Sequence, residues 1–153
     1  MNNRPKAILT PQGKQNLETE LAELRAKRPQ IVAEVQRARA LGDLKENSAY
    51  QANKDKMRQT DRRITQLELL LRHSEVVEKT NTDAVQLGSK LKTEINGQKF
   101  SFEIVGESEA DPKQRKVSLN SPLGKAFLGR KKNDLVKVIT PGGESVYKIL
   151  EIE

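Results

Sequence analysis

The sequence predicts an α+β fold, in which an N-terminal antiparallel coiled-coil hairpin precedes a curled antiparallel β-sheet domain with one short helix. Apolar residues recur at heptad spacing through the first half of the 153-residue chain, and a turn-like segment interrupts them at residues 42–47. From about Val76 the apolar period changes to two. We therefore expect a hairpin domain over residues 1–77, with its tip at 42–47, and a sheet domain over residues 78–153.

Two heptad seams predict the arms of the hairpin, and Thr10 followed by Pro11 predicts where the first arm begins. In the first arm the seam positions are Leu17, Leu21, Leu24, Arg28, Ile31, Val35 and Ala38. In the second arm they are Tyr50, Asn53, Met57, Thr60, Ile64, Leu67 and Leu71. Arms of roughly 30 residues would each be about 45 Å long at about 1.5 Å per residue.

The second half of the chain shows the alternation that is typical of strands. The expected strands are Val85–Leu87, Phe100–Val105, Val117–Leu119, Leu135–Ile139 and Val146–Leu150. Asn96-Gly97 and Pro141-Gly142 supply hairpin turns. Ser121-Pro122 predicts the start of a short helix that Gly129 would close, and we expect the sheet to curl around it.

Composition excludes several classes of function. The chain has no cysteine and one histidine, His73, so disulfides, thiolate zinc sites and histidine-based catalysis are not expected. Because it shows neither a long apolar run nor a signal-peptide pattern, we expect a cytoplasmic protein without a membrane partner. The net charge is +7, and residues 1–75 hold 15 Lys and Arg against 10 Asp and Glu. This balance favours a polyanionic partner, either nucleic acid or a nucleic-acid machine.

Two carboxylates, Asp43 and Glu46, lie three residues apart at the predicted tip. Their spacing is that of a capping box, in which Asp43 accepts backbone N–H bonds and Glu46 reaches back. The same pair could instead help to hold Mg²⁺, a hard cation commonly bound by one or two carboxylates, waters and phosphates. Because two carboxylates alone bind Mg²⁺ weakly, another protein would have to complete such a site.

The predicted shaft of the hairpin is basic. Between residues 25 and 72, outside the tip, there are eleven Lys and Arg and four Asp and Glu. Lys54, Arg58 and Arg62 form one stripe at i, i+4, i+8 spacing, and Arg37 and Arg39 lie on the facing arm just below the tip. A basic shaft with a carboxylate tip suits phosphates along the shaft and a metal at its end. The alternative is that the shaft is a solvated helix face with i, i+4 ion pairs, which would have the same composition.

Residues 39–50, with the sequence Arg-Ala-Leu-Gly-Asp-Leu-Lys-Glu-Asn-Ser-Ala-Tyr, closely resemble the fingertip motif of the Gre transcript-cleavage factors. Arg28-Pro29, Ser121–Ala126 and Thr140–Glu144 also match the pattern of that family in order and spacing, so the resemblance spans essentially the whole chain. It implies a coiled-coil hairpin and a C-terminal domain that resembles FK506-binding proteins. Ala49 departs from the pattern, since an acidic residue is common at this position.

The resemblance implies a transcription elongation factor rather than a free-standing enzyme. In the family, the C-terminal domain docks at the mouth of the secondary channel of RNA polymerase, and the finger passes down the channel. The tip carboxylates, here Asp43 and Glu46, help to hold a catalytic Mg²⁺ of the polymerase, whose own active site then cuts the backtracked RNA near its 3′ end. The expected cofactor is therefore Mg²⁺ shared with the polymerase, and the chain has none of its own.

Further residues receive roles from the resemblance and from their positions. Asn47 and Tyr50 are expected to support the tip, although Tyr50 also occupies a seam position. A basic patch that contacts RNA and polymerase is expected to consist of Arg37, Arg39, Lys54, Arg58 and Arg62. The docking surface is expected around Ser121 to Leu128. Because the hairpin can satisfy its own seam, we expect a monomer.

Features of both branches of the family are present. The second arm resembles the B-type, which is tied to longer cleavage products. The stretch Gly106–Gln114 and the turn at Thr140–Glu144 resemble the A-type, which is tied to very short ones. The basic shaft favours the B-type.

Three alternatives stay open from the sequence. A Gre-like channel binder could modulate or inhibit the polymerase without promoting cleavage, although the retained Asp43 and Glu46 argue against it. A prolyl isomerase or chaperone would need an aromatic-lined pocket in the C-terminal domain, whose few aromatic residues the sheet core is expected to consume. An RNA-binding coiled-coil arm would need only the basic shaft, and it would bind free RNA with a steep salt dependence.

Overall fold

The computed structural model describes residues 6–41 and 47–153. The chain divides into two compact units, one of which is Gln15–His73. The other joins the residues up to Lys14 to Ser74–Glu153. The division therefore lies between residues 73 and 74 instead of between 77 and 78, and the start of the chain does not belong to the hairpin unit. Among the described residues, no helix combines the length and the apolar character that a membrane crossing requires.

Two long helices form the helical hairpin. Helix α1 spans Pro11–Ala40 and helix α2 spans Ser48–Arg72. They run antiparallel, because a residue further along α1 pairs with a residue nearer the start of α2: Arg28 pairs with Asp61, and Glu34 pairs with Lys56. The predicted coiled-coil hairpin is confirmed.

Burial along the two helices follows the predicted seams. The buried seam residues are Leu17, Leu21, Ile31, Ala38, Thr60 and Leu67. The other seam positions are half-buried, with the exception of Arg28, which is exposed. Its guanidinium makes two bonds to the Asp61 carboxylate, from Nε at 2.6 Å and from Nη2 at 3.2 Å. These hydrogen bonds raise the pKa of Arg28, and the seam thus accepts a charged residue by turning it toward a partner on the other arm.

The second unit contains two sheets. Strands β1 (Ala7–Leu9) and β2 (Ser74–Val76) form a parallel pair. Because β1 precedes the hairpin and β2 follows it, this pair explains why the start of the chain belongs to the second unit. The larger sheet has five strands in the order β5-β4-β3-β7-β6. Their bounds are Lys90–Ile95 for β3, Gln98–Val105 for β4, Lys116–Ser118 for β5, Leu135–Thr140 for β6 and Gly143–Ile152 for β7.

The larger sheet differs from the prediction in three ways. It is mixed rather than antiparallel, because the chain after β4 returns through two short 3₁₀ turns and β5 then runs parallel to β4. Val85–Leu87 is not a strand. Val85 makes two isolated backbone hydrogen bonds: its N–H donates to the Arg130 carbonyl, and its carbonyl accepts the Gly129 N–H, both at 2.8 Å. The central strand β3 was not predicted, although Asn96 and Gly97, with φ of 51° and 76°, form the two-residue turn that joins it to β4.

The core of the second unit lies between the sheet and the short helix α3, which spans Pro122–Phe127. Ser121 Oγ accepts the Gly124 N–H at 3.0 Å, so the predicted cap is confirmed, and Gly129 follows the helix with φ of 76°. Phe127 is fully buried, and its ring centroid lies 5.7 Å from that of Tyr147 and 6.1 Å from that of Phe102. These three aromatic residues lie in the core or pack against it, as the sequence predicted.

Residues from two distant parts of the sequence cap the first turn of α1. Thr10 Oγ1 accepts the Gly13 N–H at 2.9 Å, which is an N-cap bond. Glu109 takes the place of the acidic residue of a capping box: its Oε2 accepts the Thr10 N–H at 2.8 Å, and its Oε1 accepts the Thr10 hydroxyl. Gly13 leaves room for this carboxylate, because a Cβ at that position would lie 2.7 Å from Glu109 Cγ and closer still to the carboxyl group.

Candidate functional site: the distal end of the helical hairpin

The predicted tip carboxylates, Asp43 and Glu46, lie outside the described residues. The structure describes the chain on either side of them, from the last turn of α1, which ends at Ala40, to the start of α2 at Ser48. Across residues 6–41 and 47–153, no cluster of three or more His, Asp or Glu side chains has the arrangement of a metal site. The prediction that Asp43 and Glu46 contribute to a Mg²⁺ site stays a prediction.

Asn47 lies at the start of α2 and contacts both arms. Its Oδ1 accepts the Tyr50 N–H at 3.0 Å and caps α2. Its Nδ2 donates to the backbone carbonyl of Ala38, in the last turn of α1, at 2.8 Å. Asn47, the last residue of the predicted tip, therefore bonds to both arms.

Tyr50, the second predicted supporting residue, is half-buried at the first seam position of α2. Lys54 Nζ lies 5.6 Å from the centroid of its ring, within the range of a cation–π contact. The ring therefore contributes to the seam and also holds a cation of the predicted patch close to the tip.

Four cations of the shaft pair with carboxylates on the opposite arm. Arg63 donates to both oxygens of Glu20, at 2.6 and 2.8 Å. The other cross-arm pairs are Arg25 with Glu68 at 2.6 Å, Arg28 with Asp61 at 2.6 Å and Lys56 with Glu34 at 3.3 Å. The hydrogen bonds from Arg63 lower the pKa of Glu20, and those to Glu20 raise the pKa of Arg63. These four cations join the two arms, a role that the sequence did not predict.

The five residues of the predicted basic patch are disposed differently from the cross-arm set. Arg58 pairs with Asp55 on its own helix at 3.6 Å. Within the described part of the chain, the other four form no ion pair with a carboxylate; they are Arg37, Arg39, Lys54 and Arg62. Four of the five are exposed and Lys54 is half-buried. The structure thus separates the shaft cations into a set that pairs across the arms and a set that does not.

Burial at the end of α1 explains how its two patch arginines are displayed. Ala38 is buried at the seam, with 5% of its surface exposed. Arg37 and Arg39 are its sequence neighbours, and each is turned from it by about 100° around the helix, so they flank the seam on opposite sides. Arg37 Nε also donates to the Ala33 carbonyl at 3.4 Å, which is a weak bond. Cations therefore lie on both sides of the seam beside the tip.

The segment expected to dock on a partner, around Ser121 to Leu128, is partly buried within the second unit. Gly124 and Phe127 are buried, and a Cβ at Gly124 would collide with the backbone around Ser118. Ser121 caps α3 through its side chain. The docking role of this segment stays a prediction.

Comparison with known proteins gives matches along nearly the whole chain. A family model described as "Transcription elongation factor, N-terminal" matches residues 7–76, and one described as "Transcription elongation factor, GreA/GreB, C-term" matches residues 79–153. Transcription elongation factor GreA of Geobacillus kaustophilus is 40% identical and is covered, like this chain, over 100% of its length. The protein of the same name from Bacillus velezensis is 41% identical, over 94% of each chain.

Among solved structures, GreA factor homolog 1 of Thermus thermophilus is 26% identical, with 97% of this chain and 99% of that chain covered and a TM-score of 0.46. Both relatives named above carry the GreA name, so they lend no support to the B-type interpretation. The family matches and the full-length relatives lead to one conclusion: the chain belongs to the GreA/GreB family of transcription elongation factors.

Proposed function

We propose that the chain inserts its helical hairpin into the secondary channel of RNA polymerase and stimulates cleavage of backtracked nascent RNA by the polymerase. The polymerase supplies the active site, so the chain is a cofactor of hydrolysis and not a nuclease. The 3′ end of the backtracked RNA is its second partner, and cleavage rescues the arrested complex. In this proposal the chain works as a cytoplasmic monomer, and its second unit docks outside the channel.

The division of the shaft cations is the observation that carries this proposal. Among the described residues, the patch cations that form no ion pair with a carboxylate are Arg37, Arg39, Lys54 and Arg62. The first three lie within about two helical turns of the helix ends beside the tip, and Arg62 lies further along α2. Like charges at i, i+4 spacing destabilise a helix slightly, and Lys54, Arg58 and Arg62 have this spacing. Unpaired cations of this kind are the groups that neutralise RNA phosphates when a polyanion approaches.

The proposal assigns the tip carboxylates to the polymerase metal. Asp43 and Glu46 offer oxygen ligands, which suit Mg²⁺, but they are too few to hold the ion without further ligands. When bound in the polymerase, Mg²⁺ would activate water and stabilise the charge that develops on the phosphate. The chain contributes the positions of the two carboxylates and the cations that flank them.

A backtracked elongation complex with 3′-labelled RNA tests the proposal directly. We expect wild-type chain to release short 3′ fragments in Mg²⁺ and the Asp43→Ala/Glu46→Ala double variant to release none above the intrinsic rate of the polymerase. The double variant should still compete with wild type for the polymerase. If wild type inhibits the intrinsic cleavage, the chain is a channel-binding regulator instead; if it binds free RNA without polymerase, it is an RNA-binding arm.

A pair of arginines on α2 provides a matched test of the basic patch. Arg62 belongs to the patch, whereas Arg72 is an exposed arginine in the last turn of the same helix, away from the tip. For Arg62→Gln we expect a higher half-saturating concentration in the cleavage assay and a salt slope reduced by about 1. Arg72→Gln removes the same charge and should change neither quantity. Equal effects of the two variants would indicate long-range attraction and would contradict a local contact.

A further inference from the structure

One side chain connects the adjacent ends of the two helices. Asn47 is half-buried, and its amide makes a bond at each end: Oδ1 accepts the Tyr50 N–H at 3.0 Å, and Nδ2 donates to the Ala38 carbonyl at 2.8 Å. The first bond satisfies one of the free N–H groups at the start of α2, and the second satisfies one of the free carbonyls at the end of α1. The Ala38 carbonyl otherwise receives the Leu41 N–H at 3.4 Å, which is a weak bond.

The two bonds together explain why this position holds an amide. Asn, Asp and Ser are about equally good helix N-caps, so capping alone does not select among them. Asp has no N–H to donate, and Ser has one short hydroxyl that cannot serve both sites. The polarity also fits, because the amide oxygen lies at the positive end of α2 and the amide N–H lies at the negative end of α1. An asparagine therefore satisfies both helix ends with a single side chain.

We infer that Asn47 is a positioning residue for the tip, holding the end of α1 and the start of α2 at a fixed separation before the polymerase is engaged. This inference rests on the proposed function, in which the carboxylates between these two points must approach a metal in one geometry. The bond from Asn47 to Ala38 closes the chain across the tip. The conformational entropy of that closure is therefore lost when the chain folds and not during the cleavage reaction.

Two substitutions separate the positioning role from the capping role. Asn47→Asp and Asn47→Ser both keep an oxygen that can cap α2. The ionised Asp has no donor, and the Ser hydroxyl is shorter than the amide, so we expect neither variant to keep the bond to the Ala38 carbonyl. The serine variant adds no charge, so agreement between the two variants excludes an electrostatic effect of the new carboxylate. Both variants should keep the helix content of wild type in circular dichroism, because the N-cap is retained.

The first readout is the cleavage assay at several concentrations of factor. We expect both variants to lower the cleavage rate at saturation on the order of tenfold, because a small misplacement of reacting groups has effects of this size or larger. The half-saturating concentration should change less than twofold, since docking does not involve Asn47. A loss of affinity with an unchanged maximal rate would overturn the inference.

The second readout needs no cleavage activity. The chain has no cysteine, so cysteines introduced at Gln36 and Ala52, which are exposed and nearly level on the two arms, can carry spin labels at unique positions. We expect a narrow distribution of distances in the wild-type background and a broader one with Asn47→Asp or Asn47→Ser. Equal distributions would show that Asn47 is only an N-cap. If wild type fails to stimulate cleavage, the proposed function is wrong, and the distance measurement still decides whether Asn47 joins the arms.

Discussion

Replacing Gly13 by alanine should destabilise the second unit, although the same change stabilises most helices. A glycine in a helix costs about 1 kcal/mol relative to alanine. Here the alanine Cβ would lie 2.7 Å from Glu109 Cγ and closer still to the carboxyl group, so the glutamate must move away. In doing so it loses its bonds to the N–H and the hydroxyl of Thr10.

The expected magnitude follows from these two bonds. A hydrogen bond to a charged group contributes about 1.5–3 kcal/mol, and the lower end applies because Glu109 is only half-buried. Loss of both bonds would therefore cost about 3 kcal/mol. The helix propensity of alanine offsets about 1 kcal/mol of this. We expect Gly13→Ala to lower the free energy of unfolding by about 2 kcal/mol.

A double-mutant cycle with Glu109→Ala tests the reasoning. Urea denaturation would be followed for wild type, both single variants and the double variant. In the Glu109→Ala background no carboxylate opposes the new methyl group, so Gly13→Ala should be neutral or stabilising by up to about 1 kcal/mol. The sign of the substitution should thus reverse between backgrounds. Stabilisation in both backgrounds would mean that Glu109 does not approach α1, and the capping arrangement described above would be wrong.

Three further predictions concern stability. Gly106→Ala should lower the free energy of unfolding, measured in urea, by about 3 kcal/mol, because the new Cβ would lie 3.0 Å from Ile8 C and closer to the Ile8 carbonyl oxygen. Because backbone atoms are less free to move than a side chain, Glu109→Ala should not restore this stability. Ser121→Ala should cost about 1 kcal/mol through loss of the α3 cap, and a cost near zero would contradict that role. The hydrogen bonds from Arg63 lower the pKa of Glu20 below 4.5, so their contribution is complete above that pH and is lost as the pH falls through the folded-state pKa. Between pH 6 and pH 3, Glu20→Gln should therefore lose about 0.5 kcal/mol less stability than wild type, and an equal loss would show that the pair does not contribute.

The hairpin was predictable because its stability depends on a periodic pattern within each helix. Buried residues such as Leu21, Ile31 and Leu67 fall on the predicted seam positions, since a heptad repeat keeps one face of each helix toward the other. The caps at Thr10 and Ser121 were predictable for a similar reason, because a cap bonds to a backbone N–H three residues away.

The sheet was less predictable because pairing between strands is not local. Val85 is buried but belongs to no strand, whereas β3 carries charged residues at alternate positions and lies in the centre of the sheet. Thr93, a polar residue, is fully buried there and donates to the Phe100 carbonyl at 3.3 Å. The apolar content of a strand therefore does not predict whether the strand lies at the centre or at the edge of the sheet, because neighbouring strands decide which of its faces are covered.

By itself the sequence determined the two helical arms with the turn between them, the change to strands near Val76 and the caps, because each depends on residues close together in the chain. It also determined the family resemblance, which is carried by motifs spread along the whole chain. Only the tertiary structure decided which shaft cations pair across the arms and which do not, because that depends on the register of α1 against α2. It also decided that Glu109 completes the cap of α1 and that Asn47 bonds to both helices. These contacts join groups whose directions are set only once the helices and strands have packed.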